Sequence, residues 1–126
     1  MPTNPCLDYA IEPLGGDFAF VLFDRPVSDQ ISVGIYHWYD LTDGNLPELV
    51  RSIFTVAGVY KVTIAENIVG IESYHDDNED TQWSLVALRI AARVSWQQND
   101  HPLIRKVSSQ EFRSRYPYCA ELKIPS

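Results

Sequence analysis

The stretch Leu46–Tyr74, LPELVRSIFTVAGVYKVTIAENIVGIESY, limits the fold more than any other part of the chain. Leu46, Leu49, Val50, Ile53, Phe54 and Ala57 recur at the spacing of one helical face, while Glu48, Arg51, Ser52 and Thr55 take the other. Pro47 suits the first helical position, where its missing N–H would have had no intrahelical partner, and Glu48 sets an acid in the first turn. Gly58 is the left-handed stop, so the pattern predicts a helix of about three turns. Val59–Ile64 and Ile68–Tyr74 are β-branched runs around Ala65-Glu66-Asn67, with Asn67 placed to take a positive φ in a hairpin turn. Val62, Ile64, Val69 and Ile71 are the core candidates.

A helix that stops on glycine and leads straight into a hairpin packs best as one layer over a sheet. The flanks supply that sheet. Residues 6–12 (CLDYAIE) alternate loosely and end at Pro13 and Gly15-Gly16. Asp17–Asp24 (DFAFVLFD) is apolar almost throughout, as in a strand covered on both faces or one covered by a partner. Ile31–Tyr39 alternates Ile31, Val33, Ile35, His37 and Tyr39 with Ser32, Gly34, Tyr36 and Trp38. After the polar loop 75–81, residues 83–96 read as a second helix that is apolar on two sides. Trp83, Val86, Ala87, Ile90, Ala91 and Val94 line one side, and Leu85, Leu88, Ala92 and Trp96 the other. Such a helix must be covered twice, either by residues 101–124 folding back or by a partner, a second copy included. Ser108 with Glu111 forms a capping-box pattern that opens a short helix to about residue 116, and the tail after Pro117 reads as a last strand or coil. The expectation is one α+β domain over 1–126, with a mostly antiparallel four- to five-stranded sheet and helices packed on one face.

Composition narrows the function classes. A chain of 126 residues buries about two-thirds of its unfolded surface, enough for one core without staples. The net charge of −7 disfavours a nucleic-acid partner; the ten basic residues are scattered apart from a loose set at Arg105, Lys106, Arg113 and Arg115. No apolar run approaches a membrane span, and no basic-then-apolar leader is visible, so the expected location is the cytoplasm. Cys6 and Cys119 are then expected reduced and structural.

Several residues also resemble a known family. Pro47, Leu49, Ile53, Phe54, Gly58, Val59, Val62, Ile68 and Val69 match the centre of the Nfu-type N-terminal domain, which precedes an iron–sulfur scaffold module. The acidic run HDDNED followed by Trp83 resembles that family's next loop and helix, and Thr3-Asn4-Pro5-Cys6-Leu7-Asp8-Tyr9 a shortened form of its opening segment. The resemblance covers about residues 3–95; residues 97–126 are an extension without a counterpart. In that family clusters bind through a Cys-x-x-Cys in the separate C-terminal module, which this chain lacks, so scaffolding is not carried over. What the resemblance implies is a stand-alone docking module, accessory to iron–sulfur cluster assembly or delivery.

No catalytic constellation, cofactor motif or metal-ligand spacing stands out. Asp76, Asp77, Asn78, Glu79 and Asp80 lack the glycine and glutamate positions of an EF-hand loop and read as a solvated turn. The expected function is non-enzymatic binding of a protein partner, anchored by Tyr36, Trp38 and Trp96, because Trp and Tyr carry much of the energy of interfaces. The competing readings are a small enzyme or metal- or ligand-binding protein using Cys6, His37 and His75, and an oligomeric subunit with a structural role.

Overall fold

The computed structural model describes residues 6–15, 17–27, 34–42, 44, 46–56, 58–73, 79–98 and 100–116, the side chains of 79–82 excepted. Expectations for residues 31–33, for residues 75–78 of the polar loop with His75, and for the tail with Cys119 fall outside them, while residues 79–81 of that expected loop are already helical. The described strands are β1 (Cys6–Pro13), β2 (Phe18–Phe23), β3 (Gly34–His37), β4 (Val59–Ala65), β5 (Ile68–Ser73) and β6 (Leu103–Lys106). The helices are α1 (Glu48–Ile53), α2 (Glu79–Gln97) and α3 (Ser109–Arg115). The architecture is α+β, with one sheet of order β3-β4-β5-β2-β1-β6.

The sheet differs from the expected four or five antiparallel strands. It has six, and β6 lies parallel to β1, pairing Leu7 with Ile104 and Asp8 with Arg105. LIRK is too short and too charged to stand out as a strand in the sequence, and it forms because β1 offers an open edge. Since β5 is antiparallel to β2 and β2 to β1, β5 and β6 run the same way. Parallel strands need a long crossover, and α2 supplies it over β2 and β1.

The helices do not share one face as expected. α1 and α2 cover one side, where Leu7, Tyr9, Val21, Phe23, Val62, Ile64, Val69 and Ile71 meet Leu49, Val50, Ile53, Trp83, Ile90 and Val94 in the main core. α3 covers part of the other side, where Phe112 and Val107 meet Ala10, Leu22 and Ile68. β2 is thus packed on both faces, with Ala19, Val21 and Phe23 buried on the main-core side and Leu22 buried but Phe18 and Phe20 half-buried on the other.

Local chemistry explains the remaining boundaries. β3 ends at His37, earlier than expected, because Asp40 accepts the His37 backbone N–H at 3.0 Å and the chain turns into a 3-10 helix over Trp38–Thr42. α1 is shorter than three turns. The Ser52 hydroxyl donates to Leu49 and the Thr55 hydroxyl to Ser52, so side chains take up carbonyls and the last turn tightens into Thr55–Ser52 and Val56–Ile53 backbone bonds. Arg93 of α2 also donates to the Ser52 carbonyl at 2.8 Å, tying the two helices together. Gly58, at φ +88°, is the stop the sequence indicated. Ser108 caps α3, its Oγ accepting the Glu111 N–H at 3.1 Å, while the Glu111 carboxylate accepts from Arg115 at 2.9 Å in place of the reciprocal bond of a capping box.

In the β4–β5 turn the positive φ belongs to Glu66, at +41°, and not to Asn67. Asn67 is instead buried, and its side-chain amide donates to the Phe23 carbonyl at 2.9 Å while its own backbone carbonyl accepts the Phe23 N–H. It clamps the hairpin turn to the end of β2. Asn67→Ala, which strands the buried Phe23 carbonyl, is expected to cost about 1–3 kcal/mol, read as a lower urea midpoint at unchanged m-value.

Candidate functional site

The densest chemistry lies where β1 meets the C-terminal segment. Asp8 and Glu12 stand on the same face of β1, four residues apart, with Ala10 between them. Asp8 is fully buried. Arg105, its partner in the parallel register, donates Nε and Nη2 to its two carboxylate oxygens at 2.8 and 2.9 Å. The Tyr116 hydroxyl donates to Oδ2 at 3.2 Å, and Arg115 lies 3.6 Å away. Glu12 receives a second two-pronged pair from Arg113, at 2.5 and 2.6 Å, and the Ser109 hydroxyl also donates to it. At the start of β1, Arg25 donates to the Cys6 carbonyl at 2.6 Å and pairs with Asp24 at 3.0 Å.

These contacts set the titration of the two acids. Burial pushes the Asp8 carboxyl up, but hydrogen bonds from Arg105 and Tyr116 and the charges of Arg105 and Arg115 outweigh it and hold it below its ordinary value. The Arg113 hydrogen bond is the main influence on Glu12; with help from Ser109 it overcomes burial and also leaves that carboxyl low. Burial first, and then the charges of Asp24 and Asp8, raise the Tyr116 phenol, which stays protonated as a donor.

Sequence reasoning singles out none of the charged residues of this group as a site, and notes only the loose basic set at Arg105, Lys106, Arg113 and Arg115. The usable signal is the pairing of that set with two acids at positions i and i+4 of a strand. Joining them requires knowing that residues 103–116 return to β1.

The residues expected to anchor a partner are not brought together. Tyr36 is half-buried against the main core. Trp38 is 58% exposed, in the turn after β3, edge-on to Tyr39, which in turn stacks on His37 at 4.8 Å. Trp96 is 72% exposed at the end of α2, stacked on His101 at 4.8 Å just ahead of β6. β3 and β6 are opposite edges of the sheet, about 24 Å apart at the usual strand spacing. Cys6 and His37 are likewise separated by four strand spacings, about 19 Å, so they form no common pocket. Among the described residues no group of three or more His, Cys, Asp and Glu is placed to hold a metal ion, and no helix is long and apolar enough to cross a membrane.

A carboxyl held low when folded releases its proton more readily there than in the unfolded chain, so the unfolded state binds more protons as pH falls through the window. Asp8 and Glu12 therefore stabilise the fold fully above their ordinary values of 3.8 and 4.5, and this is lost as pH drops through the lower folded values. The stability gap between the wild type and Asp8→Asn/Glu12→Gln is expected to be constant above about pH 5 and to shrink below about pH 4. A gap independent of pH in chemical denaturation would show that the two carboxylates are not held as described.

No protein-family profile and no curated protein matches the chain. Among solved structures the chain aligns with the Staphylococcus aureus protein SAV1430. The crystal structure of that protein aligns at a TM-score of 0.47 and 15% identity, over 66% of this chain and 92% of that one. Its solution NMR structure aligns at a TM-score of 0.46 and 16% identity, over 71% and 90%.

Proposed function

We infer that this protein is a non-enzymatic docking module that binds another protein in the cytoplasm through exposed apolar and aromatic side chains. The observation that carries the reading is the uncovered outer side of α2. Leu85, Leu88, Ala92 and Trp96 are all exposed and recur every three or four residues, forming a stripe about 16 Å long. Residues 103–116 do not fold back over it. β6 extends the sheet edge and α3 goes to the opposite face. A ridge of this length and spacing suits the apolar face of a partner helix. Trp38 and Tyr39, on the far edge, form a separate aromatic contact.

The resemblance of Pro47–Val69 to the Nfu N-terminal domain supports iron–sulfur assembly or cluster-receiving proteins as the partner class. With no Cys-x-x-Cys in this chain, the cluster would remain the partner's cargo.

Affinity capture from the native host, with the retained proteins identified by mass spectrometry, tests both parts. Retention of iron–sulfur assembly proteins is expected with the wild type and not with Leu88→Ser/Trp96→Ala, whose stability should stay within about 0.5 kcal/mol because both side chains are on the surface. Undiminished capture by that folded variant would remove the α2 stripe from the reading. A wild-type dimer in light scattering that the same variant abolishes would make the stripe a self-association surface.

A further inference from the structure

The contact between β1 and residues 103–116 is divided largely by charge, the exception being Glu111 of the segment, which pairs with Arg115 at 2.9 Å. Both anions, Asp8 and Glu12, belong to β1, and the three cations that meet them, Arg105, Arg113 and Arg115, belong to the C-terminal segment. The apolar contacts are divided as well. The sheet contributes Ala10, Leu22, Ile68 and Phe20, and the segment contributes Val107, Phe112 and Tyr116. This cluster is separate from the main core. Lifting the segment would uncover an apolar surface flanked by two carboxylates, while α1 and α2 keep the main core covered and only Ile104 leaves its edge.

The segment is also attached in a way that permits lifting. It follows α2 through a short connection in which His101 holds φ +42°, unfavourable for a residue with a Cβ. It pairs with the sheet through one four-residue edge strand, and Phe112 is its only fully buried large side chain among the described residues. The rest of its described hold combines smaller apolar contacts of Val107, Ile104 and Tyr116, hydrogen bonds from the Val107 N–H to the Tyr9 carbonyl and from the Ser95 hydroxyl to the Pro102 carbonyl, and ion pairs whose arginines are partly exposed, the Arg105, Arg113 and Arg115 side chains being 51%, 38% and 47% accessible.

We propose that this second face of the sheet is a docking site for a basic amphipathic helix of a partner protein, occupied in cis by α3 as a built-in competitor. The partner helix presents an aromatic side chain to the surface of Ala10, Leu22 and Ile68, with arginines one and three positions later, as Phe112, Arg113 and Arg115 do. Arginine is favoured over lysine because a planar fork matches a carboxylate in two-pronged geometry, as Arg113 matches Glu12, while Arg115 adds its charge 3.6 Å from Asp8. A second copy of this chain fits less well, since two bodies of charge −7 repel at long range whereas a basic segment is drawn in. The cis occupant acts at the high effective concentration of a tethered ligand, so the site opens only to a tight or locally concentrated partner. The site lies on the opposite side of the sheet from the α2 stripe and does not depend on it.

The probe is a fluorescent peptide of residues 107–116, added to the full-length protein and followed by anisotropy. The wild type is expected to bind it weakly, and Phe112→Ala/Arg113→Ala, which disables the cis helix, at least about tenfold more tightly because tethered competition is removed. Adding Asp8→Asn and Glu12→Gln should abolish that gain, and raising the salt concentration should weaken it. No gain in the folded variant, binding that survives loss of both carboxylates, or dimerisation of the variant in place of peptide binding would each overturn the proposal. Hydrogen exchange on the wild type gives a reading that does not require the variant to fold. Amides of residues 103–116 should exchange through an opening distinct from that of β2, β5 and α2, and exchange only with global unfolding would overturn it. Leu88→Ser/Trp96→Ala should leave peptide binding unchanged, which separates this outcome from that of the α2 stripe.

Discussion

A carboxylate with no solvent exposure sits near the start of this fold's first strand, and much of the architecture answers to it. Asp8 would be costly as a buried charge without donors around it. Those donors arrive from 97 and 108 residues further along, as Arg105 and Tyr116. Bringing Arg105 alongside Asp8 requires β6 to lie parallel to β1, and that pairing requires a crossover, which is α2. Bringing Tyr116 to the same carboxylate requires α3 to run beneath the sheet instead of over α2. The uncovered side of α2 and the covered second face of β1 are therefore two consequences of one arrangement.

The parts of this fold that could be read from sequence are those whose patterning is local. Gly58, the Ser108 cap and the apolar face of α2 each declare themselves within a few residues, and each is realised. Val62, Ile64, Val69 and Ile71, alternating along two strands, are all fully buried. What escaped was set by distant partners. β6 has no strand-like pattern of its own, and the early end of β3 depends on an aspartate side chain competing for one backbone N–H. In the β4–β5 turn, propensity pointed to Asn67 for the positive φ. Tertiary demand overrode it, since the end of β2 needed a buried amide donor at that place.

The candidate surfaces divide the same way. The stripe on α2 is legible because helical spacing alone puts Leu85, Leu88, Ala92 and Trp96 in line. The grouping of Asp8, Glu12, Arg105, Arg113 and Arg115 is not legible, because charges on elements about a hundred residues apart carry no shared period. Tyr36 illustrates the intermediate case: an aromatic in a β-rich run is equally consistent with a surface anchor and a core flank, and only the sheet order decides for the flank.

The position of β6 also bears on how the chain is made. The first described strand to leave the ribosome pairs with the last, so β1 keeps one open edge and an unanswered Asp8 until residue 106 has emerged, and an unanswered Glu12 until Arg113 has. Closing so large a loop adds only a slowly growing, logarithmic entropy cost, but it cannot be brought forward in time. The antiparallel strands β2, β4 and β5, joined to their neighbours by nearer contacts, are available for pairing well before that. During that interval the nascent chain carries a strand edge flanked by carboxylates, and like charge on an unpaired edge is one of the means by which proteins discourage edge-to-edge association.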